Sequence, residues 1–349
     1  MTSSYNLKDR ILGSYYGSAA GDALGGPVEG WHAHMIKNIH TRVDHFLPYT
    51  GKLHPGYALK ADPGAITDDT FIKDDFAQFV FAYPYAQDRT PENLVKFMIE
   101  NAHFEHWWPP AVTPLKKISA EGMTFEESRR MLMGGGAAWW TPFGLVNGCN
   151  PKAAYDETER LAVIWRLPFE QNLIAAVQAG VAGSVTQGAT VDTVVNTVLE
   201  YAGPLARKLL LRAKRIAVTH EGKLDRFIDA IYFEALVGSE GPSDLEGRVP
   251  PRIVADNPYK GATVLWAEQI PLAFAALVFG KGNFLDTMVA VVNMGRDADS
   301  IASTCGSWIG GLAGKSGMPA DWTEKLQNVN LDYMDIEATA GKLAAMAGA

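Results

Sequence analysis

Residues 293–314 read Asn-Met-Gly-Arg-Asp-Ala-Asp-Ser-Ile-Ala-Ser-Thr-Cys-Gly-Ser-Trp-Ile-Gly-Gly-Leu-Ala-Gly, an acidic turn joined to a stretch of small residues with helical character. Asp297, Asp299 and Ser300 stand where that helix should begin. Asp and Ser are good N-caps, yet a cap needs one side chain, and here three oxygen-bearing side chains crowd together. Thr67-Asp68-Asp69-Thr70 repeats the arrangement ahead of a second helical stretch, 71–79. If the two clusters meet, Asp68, Asp69, Asp297 and Asp299 gather negative charge that only protons or cations can neutralise. A set of ligands made of Asp, Ser and Thr oxygens suits hard divalent cations such as Mg²⁺ or Mn²⁺. The same residues also fit two unrelated capped helices, and spacing leaves both readings open.

Taken together, Thr67-Asp68-Asp69-Thr70 and Gly295-Arg296-Asp297-Ala298-Asp299-Ser300-Ile301-Ala302 resemble the paired signature of the ADP-ribosylglycohydrolase family, in its dinitrogenase-reductase-activating glycohydrolase branch. Three further segments agree in the expected order. Gly17-Ser-Ala-Ala-Gly-Asp22-Ala-Leu-Gly25-Gly-Pro-Val-Glu29 resembles the family's opening helix and turn. Gly134-Gly135-Gly136-Ala-Ala-Trp139-Trp140-Thr-Pro142-Phe-Gly144 resembles its central glycine-rich segment, and Gly317-Met-Pro319-Ala-Asp-Trp322 its closing one. Each motif alone is modest; in order, from about residue 10 to 325, they are specific.

The resemblance implies a dimetal cleft and hydrolysis of the glycosidic bond at ribose C1 of an ADP-ribosylated protein or small ADP-ribose conjugate. The implied metal ligands are Thr67, Asp68, Asp69, Asp297, Asp299 and Ser300, around two divalent cations, Mg²⁺ or Mn²⁺, with Asp299 as the bridge. Glu29, Asp69 and Asp299 are the implied catalytic carboxylates, and Glu29 or Asp69 would handle the proton. Candidate substrate contacts are Asp22, Gly134, Gly135 and Gly136, Trp139 and Trp140 as a stacking platform, and Arg296 as a phosphate ligand or a neutraliser of the acidic cluster. The sequence departs from the family pattern in three places. Arg296 precedes Asp297 and Ser300 replaces the usual Thr; Trp139-Trp140 replaces a Met-Arg-like pair; and charged Lys73-Asp74-Asp75 follows Thr70 where the family turns apolar. An N-ribosyl hydrolase acting on a free nucleoside-like metabolite is the alternative activity, and a non-catalytic relative with the same fold is the alternative class.

The elements that must carry these residues are helical throughout. Apolar residues recur at helical spacing over 7–24, 67–82, 90–102, 124–133, 151–165, 168–187, 190–201, 203–218, 223–236, 262–279 and 284–293, and no stretch alternates like a strand. We read one all-α, compact domain over 1–349, a helical bundle. The helix at 7–24 and that after Asp299 are both rich in Gly and Ala, a cost in helix propensity that points to a close-packed neighbour. Residues 30–65 read as an irregular, His-rich segment lying over the site, and 239–260 as a Gly/Pro-rich loop. The histidines match no zinc spacing. Trp107-Trp108 reads as an aromatic wall or an oligomer contact, and Lys73, Asp74 and Asp75 as charges facing the site entrance or solvent.

Composition narrows the class. The chain has 349 residues, 47% of them hydrophobic and 20% charged, as in an ordinary globular protein. A net charge of −8 argues against nucleic acid and anionic membrane as partners. Two cysteines, Cys149 and Cys305, give no disulfide framework. With no signal-peptide core and no long apolar run, the expectation is a cytoplasmic monomer or small homo-oligomer that binds an ADP-ribose-like moiety.

Overall fold

The structure is a computed structural model, and it describes residues 5–53, 58–131, 136–232 and 268–349. Among them the chain is all-α. In order the helices are α1 (Leu7–Gly25), α2 (Ala33–His40), α3 (Asp68–Ala82), α4 (Pro91–Asn101), α5 (Pro109–Glu121) and α6 (Phe125–Ser128). Then follow α7 (Thr141–Val146), α8 (Pro151–Leu161), α9 (Pro168–Ser184), α10 (Val191–Tyr201), α11 (Pro204–Thr219) and α12 (Leu224–Ala230). The last five are α13 (Ile270–Gly280), α14 (Phe284–Val292), α15 (Ala298–Ala313), α16 (Ala320–Asn330) and α17 (Ile336–Met346).

The two small-residue helices, α1 and α15, are each other's neighbour. They pack antiparallel at backbone contact. A Cβ added to Gly17 would lie 2.3 Å from the Gly306 carbonyl oxygen, and one added to Gly306 would lie 2.0 Å from that of Gly17. Side chains longer than hydrogen at these positions would hold the helices at the ordinary 8–10 Å separation. Hydroxyls seal the seam: Ser14 Oγ donates to the Ser307 carbonyl at 2.7 Å, and Ser18 Oγ meets Ser303 Oγ at 2.8 Å. Arg10 closes the far end by donating to the carbonyls of Gly311 (3.2 Å) and Leu312 (3.1 Å), which α15 leaves without helical partners. At the near end the seam delivers Asp22 of α1 beside the first turn of α15.

Two asparagines brace the segment that leads into α3. Asn293 accepts from Val43 N (2.9 Å) and donates to Val43 O (2.8 Å), while Asn330 accepts from Ile66 N (3.2 Å) and donates to Gly64 O (2.9 Å). Thr67 then caps α3, its hydroxyl receiving Asp69 N at 3.4 Å.

Several expectations need correction. Within 30–65, taken as irregular, residues 33–40 form α2, capped by His32 through Nδ1 and His34 N at 3.1 Å. Its apolar residues Ala33, Met35, Ile36 and Ile39 fall within eight residues, a helix too short to stand out in an irregular stretch, and only Ala33 and Ile36 are buried. Trp107 is a core residue whose indole donates to Asp75 at 2.6 Å, not a surface wall. Lys73 and Asp75 lie in the interior, and Asp74 is tied to Tyr15 Oη (3.1 Å) and Thr339 Oγ1 (2.9 Å). Helices α5, α7, α16 and α17 are additions to the sequence reading, α7 overlapping the end of the glycine-rich segment 134–144. The 239–260 segment lies outside the described residues.

Candidate active site

The site forms where three chain segments converge: the C-terminal end of α1 with its following turn, the N-terminus of α3 and the N-terminus of α15. The turn before α15 is set by backbone geometry. Gly295 and Arg296 both take left-handed φ, +66° and +67°, a conformation that costs a non-glycine residue roughly 1–2 kcal/mol. Its compensation is a pair of hydrogen bonds: Arg296 N donates to Trp31 O at 2.7 Å, and Gly30 N donates to Arg296 O at 2.6 Å. The pairing clamps Glu29 against the start of α15. Carboxylate oxygens of Glu29, Asp297 and Asp299 consequently lie within 4.8 Å of one another.

The α3 side is equally built. Asp22, fully buried, accepts from Thr67 Oγ1 (2.5 Å), Thr67 N (3.0 Å) and Thr70 N (3.2 Å), and so anchors the first turn of α3 to α1. Thr67 Oγ1 also reaches Asp299 Oδ2 at 3.3 Å, and Ser300 Oγ donates to Asp69 Oδ2 at 2.5 Å. The other oxygen of Asp69 takes the indole N–H of Trp139, and Asp297 takes the side-chain amide of Gln269.

Capping does not explain this concentration of oxygens. Thr67 alone caps α3, and Asp297, at the N-cap position of α15, makes no side-chain cap bond. Asp68 accepts no hydrogen bond among the described residues. Burial, reinforced by the neighbouring carboxylates, pushes Glu29, Asp68, Asp69 and Asp299 well above the usual carboxylate range. Burial likewise pushes Asp297 up to about 7. Asp22 is raised by burial too, though its Thr67 and Thr70 hydrogen bonds and Lys73 oppose the shift. An all-oxygen donor set with a carboxylate left without a protein donor fits a hard divalent cation.

A test of stability follows. An acid whose pKa is higher folded than unfolded keeps a proton that the unfolded chain has already released, so folding is favoured less as pH rises between the two values. The chelator-treated protein is therefore expected to lose melting temperature as pH climbs from about 4 through about 7, where Asp297 ionises. Saturating Mn²⁺ should flatten that slope. A metal-free melting temperature that rises across this window would contradict the reading of the cluster.

The residues expected to contact a substrate are engaged with protein groups instead. Trp139 and Trp140 are buried, at 2% and 0% exposure. Trp139 holds Asp69, and Trp140 packs on Phe76, Phe143 and Trp165, so neither offers a ring face for stacking. Gly136 is buried at φ +79° because the Trp139 indole fills the space a Cβ would need. Asp22, at 0% exposure, is taken up in anchoring α3. Arg296 forms a buried, two-pronged pair with Glu268 in place of the expected phosphate contact. Gly134 and Gly135 lie outside the described residues. Gln269, Asn293 and Asn330 are supporting residues that the sequence reading passed over. The one cue to Gln269 is its place in a polar Glu268-Gln269 pair directly before the apolar run of α13.

Comparison with known proteins shows the family. A family model described as ADP-ribosylglycohydrolase matches residues 3–349. The chain belongs to the ADP-ribosylglycohydrolase family. A solved structure titled as an ADP-ribosylglycohydrolase-related protein complex aligns over 98% of this chain and 99% of its own, with a TM-score of 0.60 and 18% identity, a likeness of fold. An uncharacterized protein of Archaeoglobus fulgidus is 24% identical over 92% of this chain and 93% of its own length. An ADP-ribosylarginine hydrolase, Tri1, of Pseudomonas putida is 45% identical over 49 residues, which is 14% of this chain and 13% of that protein. Members of this glycohydrolase family use divalent metals, and this chain has a cluster of acidic side chains whose oxygens could hold a metal ion. No helix among the described residues is long and apolar enough to cross a membrane.

Proposed function

We propose that the protein is a divalent-metal-dependent hydrolase that cleaves the bond at ribose C1 of an ADP-ribosyl group. The observation that carries this reading is the convergence of buried Asp68, Asp69, Asp297 and Asp299, with half-buried Glu29 at their edge, in a chain of the ADP-ribosylglycohydrolase family. Oxygens of Thr67, Asp68, Asp69, Asp297, Asp299 and Ser300 would hold two cations, Mg²⁺ or Mn²⁺. Bound there, such cations supply Lewis-acid polarisation of water or of ribose hydroxyls.

The chain's own residues handle the proton. Both oxygens of Asp69 already accept a hydrogen bond, from Ser300 and Trp139; these bonds oppose the upward shift that burial gives it and leave it less free than Glu29 for proton transfer. Glu29 is partly exposed at the end of the α1 turn and is the carboxylate placed to exchange protons with water. It takes the proton of the water that attacks C1 and passes it to the departing group as the C1 bond breaks. The surrounding carboxylates stabilise the positive charge that develops on the sugar ring. Arginine-linked ADP-ribose is the first substrate to test, because the short match is to an ADP-ribosylarginine hydrolase. The net charge of −8 and the absence of a cysteine framework support a cytoplasmic site of action without nucleic-acid or membrane partners. The N-ribosyl hydrolase alternative rests on the Trp139-Trp140 departure and on the His-rich segment 30–65, and the burial of both tryptophans removes the first of these supports.

The first experiment is calorimetric titration of the metal-free protein with Mn²⁺ and then with ADP-ribose. Sequential binding is expected; metal binding with no affinity for ADP-ribose would remove the substrate class. Two variants sharpen the roles. Glu29→Gln is expected to lower kcat about 10²–10⁴-fold while leaving Mn²⁺ binding measurable. Trp139→Phe removes one hydrogen bond to an anion, worth about 1.5–3 kcal/mol, so kcat/KM should fall roughly tenfold or more. An unchanged kcat/KM would mean that Asp69 needs no such brace.

A further inference from the structure

Lys73 is the departure from the family pattern that the fold places most tellingly. It is completely buried, at 0% exposure. Its ammonium donates to the Tyr15 carbonyl at 3.4 Å and lies over the Tyr15 ring, 4.5 Å from the centroid. No carboxylate stands within ion-pair distance of it among the described residues. A buried ammonium with a single long hydrogen bond is costly unless a more distant charge compensates it. That charge is the acidic cluster. Lys73 follows Asp69 by four residues on α3, which puts both on one face of the helix. Tyr15 precedes Asp22 by seven on α1, again the same face. Burial pulls the ammonium down to about 8, so it stays mostly charged at neutral pH, and it sits behind the cluster, where its charge acts on Asp22 and Asp69 and, outside the cluster, on Asp74.

We propose that Lys73 is a fixed internal counter-cation of the metal site: from the buried side it offsets part of the cluster's negative charge and so weakens and tunes the hold on divalent cations. The proposal rests on the metal-site reading above. The physical consequence is a sign. A structural lysine, once removed, would change folding but not metal affinity. A counter-cation, once removed, leaves a more negative site that binds divalent cations more tightly.

The test is Mn²⁺ binding to the metal-free protein, followed by electron paramagnetic resonance of free Mn²⁺, for wild type and for Lys73→Met, which keeps the length and apolar stem of the side chain. The variant is expected to bind Mn²⁺ about tenfold more tightly or better, the order expected for loss of a unit charge near a divalent ion in a partly screened interior. Lys73→Arg, which keeps the charge, should stay near the wild-type Kd. Should the methionine variant fail to fold, Lys73→Gln retains an N–H for the Tyr15 carbonyl and should show the same tightening. Equal Kd values in wild type and the neutral variants, or weaker binding in the variants, overturn the role of Lys73 and leave the metal site standing. No Mn²⁺ binding by wild type overturns both.

Discussion

Asp299→Ala is expected to abolish measurable Mn²⁺ binding and to lower ADP-ribosyl hydrolysis by on the order of a thousandfold. Asp299 sits at the junction of all three segments. It accepts from Thr67 Oγ1 at 3.3 Å and from Ser300 N at 2.9 Å, and it shares the cluster with Glu29 and Asp297. Asp69 also reaches across, taking Ser300 Oγ at 2.5 Å, but Asp299 joins this α3 contact to the Glu29 and Asp297 group, so its loss divides the ligand set. The same substitution relieves repulsion among buried carboxylates. The metal-free variant should therefore melt at or above the wild-type temperature, while the gain in melting temperature on adding Mn²⁺ disappears. A variant that loses stability without metal yet still binds Mn²⁺ would assign Asp299 to the scaffold and refute its role as ligand.

Gly306→Val is expected to cost about 4 kcal/mol or more, a severe value for one substitution, and to lower the melting temperature by on the order of 10 °C. The new Cβ would lie 2.0 Å from the Gly17 carbonyl oxygen and 2.6 Å from its carbon. These are backbone atoms of a buried helix, which cannot swing aside as the end of a side chain can. Because α1 carries Asp22 and α15 carries Asp299 and Ser300, prising the seam open should also weaken Mn²⁺ binding. Gly341→Ala is the control. A Cβ there meets nothing within 4 Å on helix α17, and removing glycine from a helix interior gains up to about 1 kcal/mol. Differential scanning calorimetry of the two variants reads the contrast. Equal melting temperatures would show that the seam is not tightly packed.

The acidic clusters and the helical class were open to sequence reasoning because both rest on local facts: residue type, capping chemistry and a period of 3.6. The two small-residue helices were legible as helices in want of a close neighbour. That they are each other's neighbour was not, since Gly17 and Gly306 lie far apart in the chain and helical periodicity carries no pairing information. The errors share a cause. Trp139 beside a glycine run looks like a ligand platform until Asp69 appears as the acceptor of its N–H. Lys73 and Asp75 look like surface charges until Tyr15, His103 and Trp107 are brought to them. Arg296 looks available until Glu268 meets it. In each case the deciding partner is remote in sequence, and a buried polar residue cannot be told from an exposed one before its partner is known. Helix α2 escaped for a different reason: its buried face is two residues wide.

The most direct measurement is release of free ADP-ribose from an arginine-ADP-ribosylated protein, followed by chromatography and mass spectrometry, with wild type, Glu29→Gln and Asp299→Ala. The account predicts release by the wild type in Mn²⁺ or Mg²⁺, loss of release on chelation with recovery on adding metal back, and little or none from either variant. Release that persists undiminished in excess chelator, or in Asp299→Ala, would contradict it.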